Sequence, residues 1–365
     1  MLSILGIAAA AVAAGCRSFT AIGEWAADAP QSVLRAVGAR FDRNRKVFVA
    51  PDEATVRRVL QAVDAEALDA AISAWLQART DRRGARGALE AVAVDGKSLR
   101  GTFARTGGAG AHLLAALAHD QGTVLGQRQV PPGTSEITAF GPLLDSIDRT
   151  INLDGLVVTA DALHTTRTHA RFLVERGADY VFIVKANQSG LHQHLTTLPW
   201  HDIPALTTTE LGHGRTEHRT VRLAPLATDT HDLGYPHPRF PHATHAFRID
   251  RRTIQHHNGQ PRTHTALGLT SLTGHRAHPH TIARYVRGHW HIENRLHWVR
   301  DVTYREDHSR VRTGSAARTM ASLRNLAISA LRQAGHTNIA QALRHLARDA
   351  TRPLQLLGIA PKQQK

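Results

Sequence analysis

The chain has a single cysteine, Cys16, in 365 residues. A lone thiol excludes an internal disulfide framework and fits a reducing, cytoplasmic setting. Lysine is nearly as scarce: there are five, so almost all the positive charge is arginine. The zinc-hydrolase pattern HExxH is absent, and no internal repeat is visible. Long apolar runs are missing as well. The one candidate, MLSILGIAAAAVAAGC, has the outline of an export signal ending in a lipidated cysteine. No Lys or Arg precedes Arg17, however, so the basic start of such a signal is lacking. The run is too short to span a bilayer comfortably, and SFTAIGEWAADAP extends it as an amphipathic helix. It therefore reads as a buried helix, with export and cleavage before Cys16 as the alternative. The balance predicts no membrane partner.

What is present is a folded, strongly basic chain. Apolar residues make up 42%, enough for a sizeable core, and the formal charge is +15. Such a surplus favours a polyanionic partner, because each cation set on a phosphate releases a counterion. Arginine grips phosphate with a planar fork of donors, which suits nucleic acid. Membrane surfaces and RNA are polyanions too, and a GC-rich genome also enriches arginine, so charge alone leaves the partner open.

Along the chain, residues 1–82 read as an N-terminal helical domain. Helices are expected over Ile4–Ala14, Thr20–Ala27, Asp52–Val63 and Ala65–Gln77, with Asp52 and Asp64 as N-caps. DRRGARG, residues 81–87, reads as a linker. The period then changes. LEAVAVD (89–95), HLLAALAHD (112–120) and TVLGQRQV (123–130) are strand-like, the last two a hairpin. SEITAFGPLLDSID (135–148) has helical spacing. LVVTAD (156–161), a helix over 165–176 and DYVFIVKA (179–186) follow. Residues 88–190 thus form the first part of an α/β domain, an antiparallel meander followed by parallel crossovers. Residues 191–275, rich in His, Thr, Pro and Arg, read as a β-rich insertion. Residues 276–334 resume the domain with two helices, and 335–365 form a tail with one more.

Two acids, Asp95 and Asp161, end separate apolar strands. If those strands are parallel neighbours, both acids project from the sheet edge where sites gather in α/β proteins. Paired carboxylates can hold hard divalent cations, two ions a few ångströms apart. The competing reading is structural, with Asp161 capping the next helix. The helix Thr281–Arg300 adds a third acid. Ile282, Tyr285, Ile292, Leu296 and Val299 share an apolar side, while Val286, His289, Glu293, His297 and Arg300 form an adjacent stripe. Glu293 is then either a ligand or part of an exposed face. A transition metal held by His289, Glu293 and His297 is a further alternative. Trp290 and Trp298 read as core residues, with stacking on an unpaired base as the alternative.

Three blocks carry a resemblance: AVDGKSLRG (93–101), VVTADALHTTRTHARFLVERGADYVFIVKANQ (157–188) and VRGHWHIENRLHWVRDVTYREDHSRVR (286–312). Together with SEITAFGPLLDSI, GHGRTEHR and AAGCRSFTAIGEWA, they resemble the DDE transposases of bacterial insertion sequences. The subgroup is the one that includes H-repeat-associated proteins. The resemblance covers nearly the whole chain. It implies a ribonuclease-H-like mixed sheet with helices, interrupted by the β-rich insertion and preceded by the helical domain. It implies a catalytic and metal-binding triad of Asp95, Asp161 and Glu293 holding two Mg²⁺ ions, for which Mn²⁺ can substitute. The partners it implies are double-stranded DNA, as the element's terminal inverted repeats and as target, and further copies of the chain on that DNA. Localisation would be cytoplasmic, at the nucleoid.

The family's Tyr, Arg, Glu, Lys signature is altered here. His289 stands at the Arg position, Arg300 at the Lys position, and Tyr285 lies one residue off. Lys97, Arg100, Asn187, Gln188, His289 and Arg300 are the candidate DNA contacts. Asp301, Glu306 and Asp307 cluster after the helix as support for metal or for a basic neighbour. The family pattern also has a short segment before the first helix, with a Pro-Asp-Pro-Arg-like stretch; Met1 here begins inside that helix, which points to a shortened or misassigned start. A DNA-binding relic and a hydrolysis-only nuclease of the same fold are the alternatives to an active transposase.

Overall fold

A computed structural model describes residues 1–81, 89–103, 110–212, 214–227 and 235–359 of the chain. The expected linker lies, after Asp81, outside the described residues, as does His213 of GHGRTEHR. The chain divides into two compact units. One comprises Met1–Ala88, Gly96–Ile151 and Ile292–Lys365; the other comprises Leu89–Asp95 and Asn152–His291.

The first unit opens with α1 (Leu2–Ala13), α2 (Phe19–Asp28) and α3 (Gln31–Ala36). A small hairpin, β1 (Arg40–Asp42) and β2 (Val47–Val49), precedes α4 (Glu53–Ala62) and α5 (Ala65–Asp81). The apolar start is a core helix: Ile7 to Ala13 of α1 are buried, and α1 packs on α10 (Ala316–Gln333). Among the described residues no helix is long and apolar enough to cross a membrane. Asp52 caps α4 by accepting from the Thr55 amide, and Asp64 accepts from the amides of Glu66 and Ala67. Both caps satisfy amides that the first helical turn leaves without partners. The hairpin β4 (His112–Ala118) and β5 (Val124–Val130) is antiparallel, and α6 (Glu136–Ile151) packs on it. β3 (Ala91–Ser98) enters this unit through its last three residues. There the Leu99 amide donates to the Ala111 carbonyl, just before β4.

Charge is buried in this unit against dedicated partners. Arg300 is 0% exposed and Glu306 only 3%, and Arg300 Nη2 lies 2.7 Å from Glu306 Oε2. Arg324 Nη1 lies 2.7 Å from the other oxygen, Oε1. One carboxylate thus ties the segment after the long helix to α10. Burial alone would raise the Glu306 carboxyl, but the two guanidinium charges outweigh it and bring it down to about 2. A second buried set links α5 to α10 through Asp69, Arg318 and Ser322.

The second unit is a sheet in the order β3, β6 (Val157–Ala160), β7 (Asp179–Val184), β11 (Pro261–Thr270), β10 (His245–Gln255), β9 (Arg215–Pro225) and β8 (Ala205–Gly212). β3, β6 and β7 are parallel, and the remaining pairs are antiparallel. Strands β8 to β11 form the β-rich insertion. α7 (Arg167–Val174) and α8 (Ser189–Thr196) flank β7 in the chain, and α9 (Pro279–Ile292) closes the unit. Val157, Val181, Phe247, Leu272, Ile282 and Tyr285 share one apolar core. A mixed sheet flanked by helices is the α/β class expected from the sequence. The tail after α10 holds two short helices, α11 (Ile339–Leu346) and α12 (Thr351–Leu356), where one was expected.

Replacing Glu306 with Gln would leave two buried guanidiniums without their counter-charge, at a cost of about 3–5 kcal/mol. Because the carboxyl is lower in the folded state than unfolded, the stability it supplies is present above the ordinary carboxylate range. It is lost as pH falls from there towards 2. Urea titrations from about pH 6 to about pH 2.5 should show that loss in the wild type and a flatter profile in Glu306→Gln. Equal profiles would contradict this account.

Candidate active site

β3 and β6 pair in parallel with Val94 opposite Ala160. Asp95 and Asp161 come next, both half-buried; Asp161 follows the last residue of β6, whereas β3 runs on through Asp95 to Ser98 instead of ending on the acid as expected. Neighbouring strands run about 4.8 Å apart, so the two acids reach the same sheet edge side by side. Side chains alternate along a strand, which gives Thr159 and Asp161 a common face. His289 of α9 meets that face: its Nδ1 lies 3.1 Å from Thr159 Oγ1. Of the stripe read from the sequence, His289 therefore faces the strand that precedes Asp161.

The turn after Asp161 is pinned at several points. Asp161 Oδ1 accepts from the Leu163 amide at 2.9 Å. Asn187 Nδ2 donates to the Ala162 carbonyl at 3.0 Å, and the buried Thr165 hydroxyl donates to the Ile183 carbonyl at 2.6 Å. The cap of α7 is Thr166, not Asp161. One Asp161 oxygen thus shapes a turn, and the helix-capping alternative falls. Asn187, expected at DNA, spends its amide on that turn. Gln188 sits half-buried at the start of α8.

Glu293 belongs to the first unit. α9 passes directly into two π-helical turns, Glu293–His297 and Val299–Thr303, rather than the regular helix expected to Arg300. Wide turns of this kind recur at functional sites. Glu293 is exposed, with Oε2 3.1 Å from Nδ1 of the buried His297. That hydrogen bond, opposed by partial burial and helped by the charges of His297 and Lys97, holds the Glu293 carboxyl below the usual range. The apolar stripe Ile282, Tyr285, Ile292, Leu296 and Val299 is buried throughout, as expected.

Arg300 cannot present its guanidinium to phosphate in this fold, because it is buried against Glu306. Lys97 is also withdrawn: its side chain is 9% exposed, with Nζ 2.6 Å from Asp301 Oδ2 and 4.0 Å from Asp307 Oδ1. Burial raises the Asp301 carboxyl, and the Lys97 ammonium opposes the shift. Arg100 remains 78% exposed, 3.5 Å from Asp307. Trp290 and Trp298 are not core residues, being 56% and 53% exposed. Of the acids after the helix, each supports a basic neighbour. Residues that sequence reasoning missed include Thr159, legible in principle from alternation with Asp161, and Arg324, which carried no signal.

Two glycines of the first block mark close approaches. A Cβ at Gly96 would run into the Glu136 carboxylate, which is itself paired with His112. At Gly101 it would meet the Ser309 carbonyl.

The chain belongs to the transposase DDE domain family, which it matches over residues 86–330. Residues 1–76 match the segment described as DDE_Tnp_1-associated. Relatives include YncI of Escherichia coli O157:H7, 28% identical over 292 residues that cover 77% of this chain and 71% of that protein. The H repeat-associated protein YhhI of Escherichia coli strain K12 is 29% identical over 66% of this chain and 64% of its own length. The chain therefore spans about two thirds of the length of these relatives. A solved piggyBac transposase synaptic complex with hairpin DNA aligns over 75% of this chain and 55% of that one, at 11% identity and a TM-score of 0.38. The family and subgroup expected from the three blocks are thus the ones found.

Asn187→Ala should free the turn that follows Asp161. Losing a hydrogen bond of this type costs about 1 kcal/mol, read as a lower urea midpoint. No change in midpoint would show that the Ala162 carbonyl is satisfied without Asn187.

Proposed function

We propose that this protein is a DNA transposase whose chemistry rests on Asp95, Asp161 and Glu293. The observation that carries the reading is the β3–β6 pairing, which sets two acids of a DDE-family chain at one sheet edge. Glu293 is the third acid of the family resemblance, four residues after His289 in the sequence. The donors are carboxylate oxygens, which hard cations prefer. His289 and His297 turn their Nδ1 atoms to Thr159 and Glu293; metal-ligating histidines also make such contacts through the nitrogen that is not the ligand, so the histidine-based transition-metal reading stays the alternative. Asp95, Asp161 and Glu293 would hold two Mg²⁺ ions, or Mn²⁺ in their place. Once bound, the ions would activate water or a 3′-hydroxyl and stabilise the leaving oxygen.

The chain's own residues prepare that site. His297 holds the Glu293 carboxyl below its ordinary range, and Asn187, Thr165 and the Leu163 amide fix the backbone on which Asp161 stands. The partner is double-stranded DNA, cut at an element's ends and joined to target DNA. Two ends must be held together for joining, so the working form is an oligomer on DNA.

Asp95→Asn, Asp161→Asn and Glu293→Gln should each lower Mg²⁺-dependent cleavage of end-containing DNA by roughly 10²–10³-fold, while DNA binding in EDTA persists. Full activity in any one variant would remove that acid from the site. A product that is cleaved but never joined would reduce the activity to hydrolysis. His297→Phe should move the acid limb of the cleavage pH profile upward, because Glu293 loses its largest stabilising contact. An unmoved limb would deny His297 that positioning role.

A further inference from the structure

The DDE_Tnp_1-associated segment and the segment after the π-helical turns share one strongly basic groove. It encloses about 660 Å³ within the first unit. Its basic side chains are Arg17 and Arg57 from the N-terminal segment, and Arg305, His308, Arg310 and Arg312 from the later one. All six are exposed. The acid in the lining is Glu53, which is 2.5 Å from Arg57 and so is already neutralised. No acid among the described residues lies within ion-pair distance of Arg17, Arg305, Arg310 or Arg312. Four exposed like charges facing one groove make it favourable ground for a polyanion.

The scaffold behind the charges is fixed. Glu306 anchors the start of the later segment between Arg300 and Arg324. The Ser309 backbone lies against Gly101, where a side chain would clash. Downstream, the Ser315 amide and hydroxyl both donate to the Gln61 carbonyl on the α4 side. Between these anchors Arg310 and Arg312 are exposed while Val311 is half-buried, so both arginines face outward. Arg17 and Arg305 also line an adjoining groove with Arg332 and Arg344, which extends the positive track.

We infer that this track is a docking surface for the phosphate backbone of duplex DNA, and that one wall of it is the function of the N-terminal associated segment. The inference rests on the transposase reading for the identity of its partner. A run of arginines with an extended open groove fits a chain of phosphates better than a single small anion. Contacts of this kind position a duplex without reading its sequence.

The test uses the full-length protein and a fluorescein-labelled duplex of about 30 bp and arbitrary sequence, with EDTA and a salt series. Removing one phosphate-binding cation should lower the slope of log Kd against log salt by about 0.9. Arg310→Gln/Arg312→Gln should therefore lower the slope by nearly two, equally for duplexes of unrelated sequence. The double substitution to Lys should keep most of it. Arg35→Gln, an equal charge change per site in α3 outside the groove, should leave it unaltered. An unchanged slope in the Gln double variant overturns the docking surface. So does a Gln double variant that keeps its duplex binding while its affinity for anionic vesicles or single-stranded RNA falls. If the wild type bound no duplex DNA at any salt, the transposase reading itself would fall, which separates the two failures.

Discussion

Parallel pairing of β3 with β6 fixes the register of two short apolar strands, Ala91–Val94 against Val157–Ala160. Everything proposed for the site depends on that register. A slip of one residue would turn Asp95 or Asp161 into the opposite face of the sheet. The register is held because both strands are buried on both faces, and Phe247, Leu272 and Ile282 complete the core around them. The following turn cannot drift either, since Asn187 and Thr165 tie it to the β7 side. Apolar burial thus supplies the stability, and a few hydrogen bonds supply the aim.

The segment that follows Glu293 depends on buried charge. Glu306 joins two buried arginines, and the segment that follows Glu293 is held to α10 through it. A buried ion pair is a poor source of net stability but a strict one, because removing either partner leaves the other uncompensated. That constraint explains why Arg300 serves the fold rather than phosphate. It also frees the arginines beyond Glu306, Arg310 and Arg312, to face solvent from a rigid base.

Much of this architecture is legible in the sequence. Short, nearly continuous apolar runs locate β3 to β7, and helical spacing locates α1, α2, α4, α5, α6, α9 and α10. β9 and β10 are readable from alternation in TEHRTVRL and HAFRIDRRT, whereas β8 and β11 are hidden because threonine-rich segments such as ALTTTELG carry little apolar signal. The short α3 and the β1–β2 hairpin escape for a related reason, being too brief to show a period. The π-helical turns cannot be read, because their hydrogen-bond register is a tertiary outcome. Side-chain fate is least legible. Arg300 and Lys97 read as surface charge because the groups that bury them come together only in the fold. The two tryptophans read as core and are exposed, since large apolar residues can equally serve a binding face.

The central claim is that acids from two separate strands and one helix act on the same ions. Manganese titration followed by electron paramagnetic resonance tests it without any need for turnover. The account predicts tight Mn²⁺ binding by the wild type, weakened by Asp95→Asn, by Asp161→Asn and by Glu293→Gln alike. Undiminished Mn²⁺ binding after loss of Glu293, or after loss of either aspartate, would contradict it.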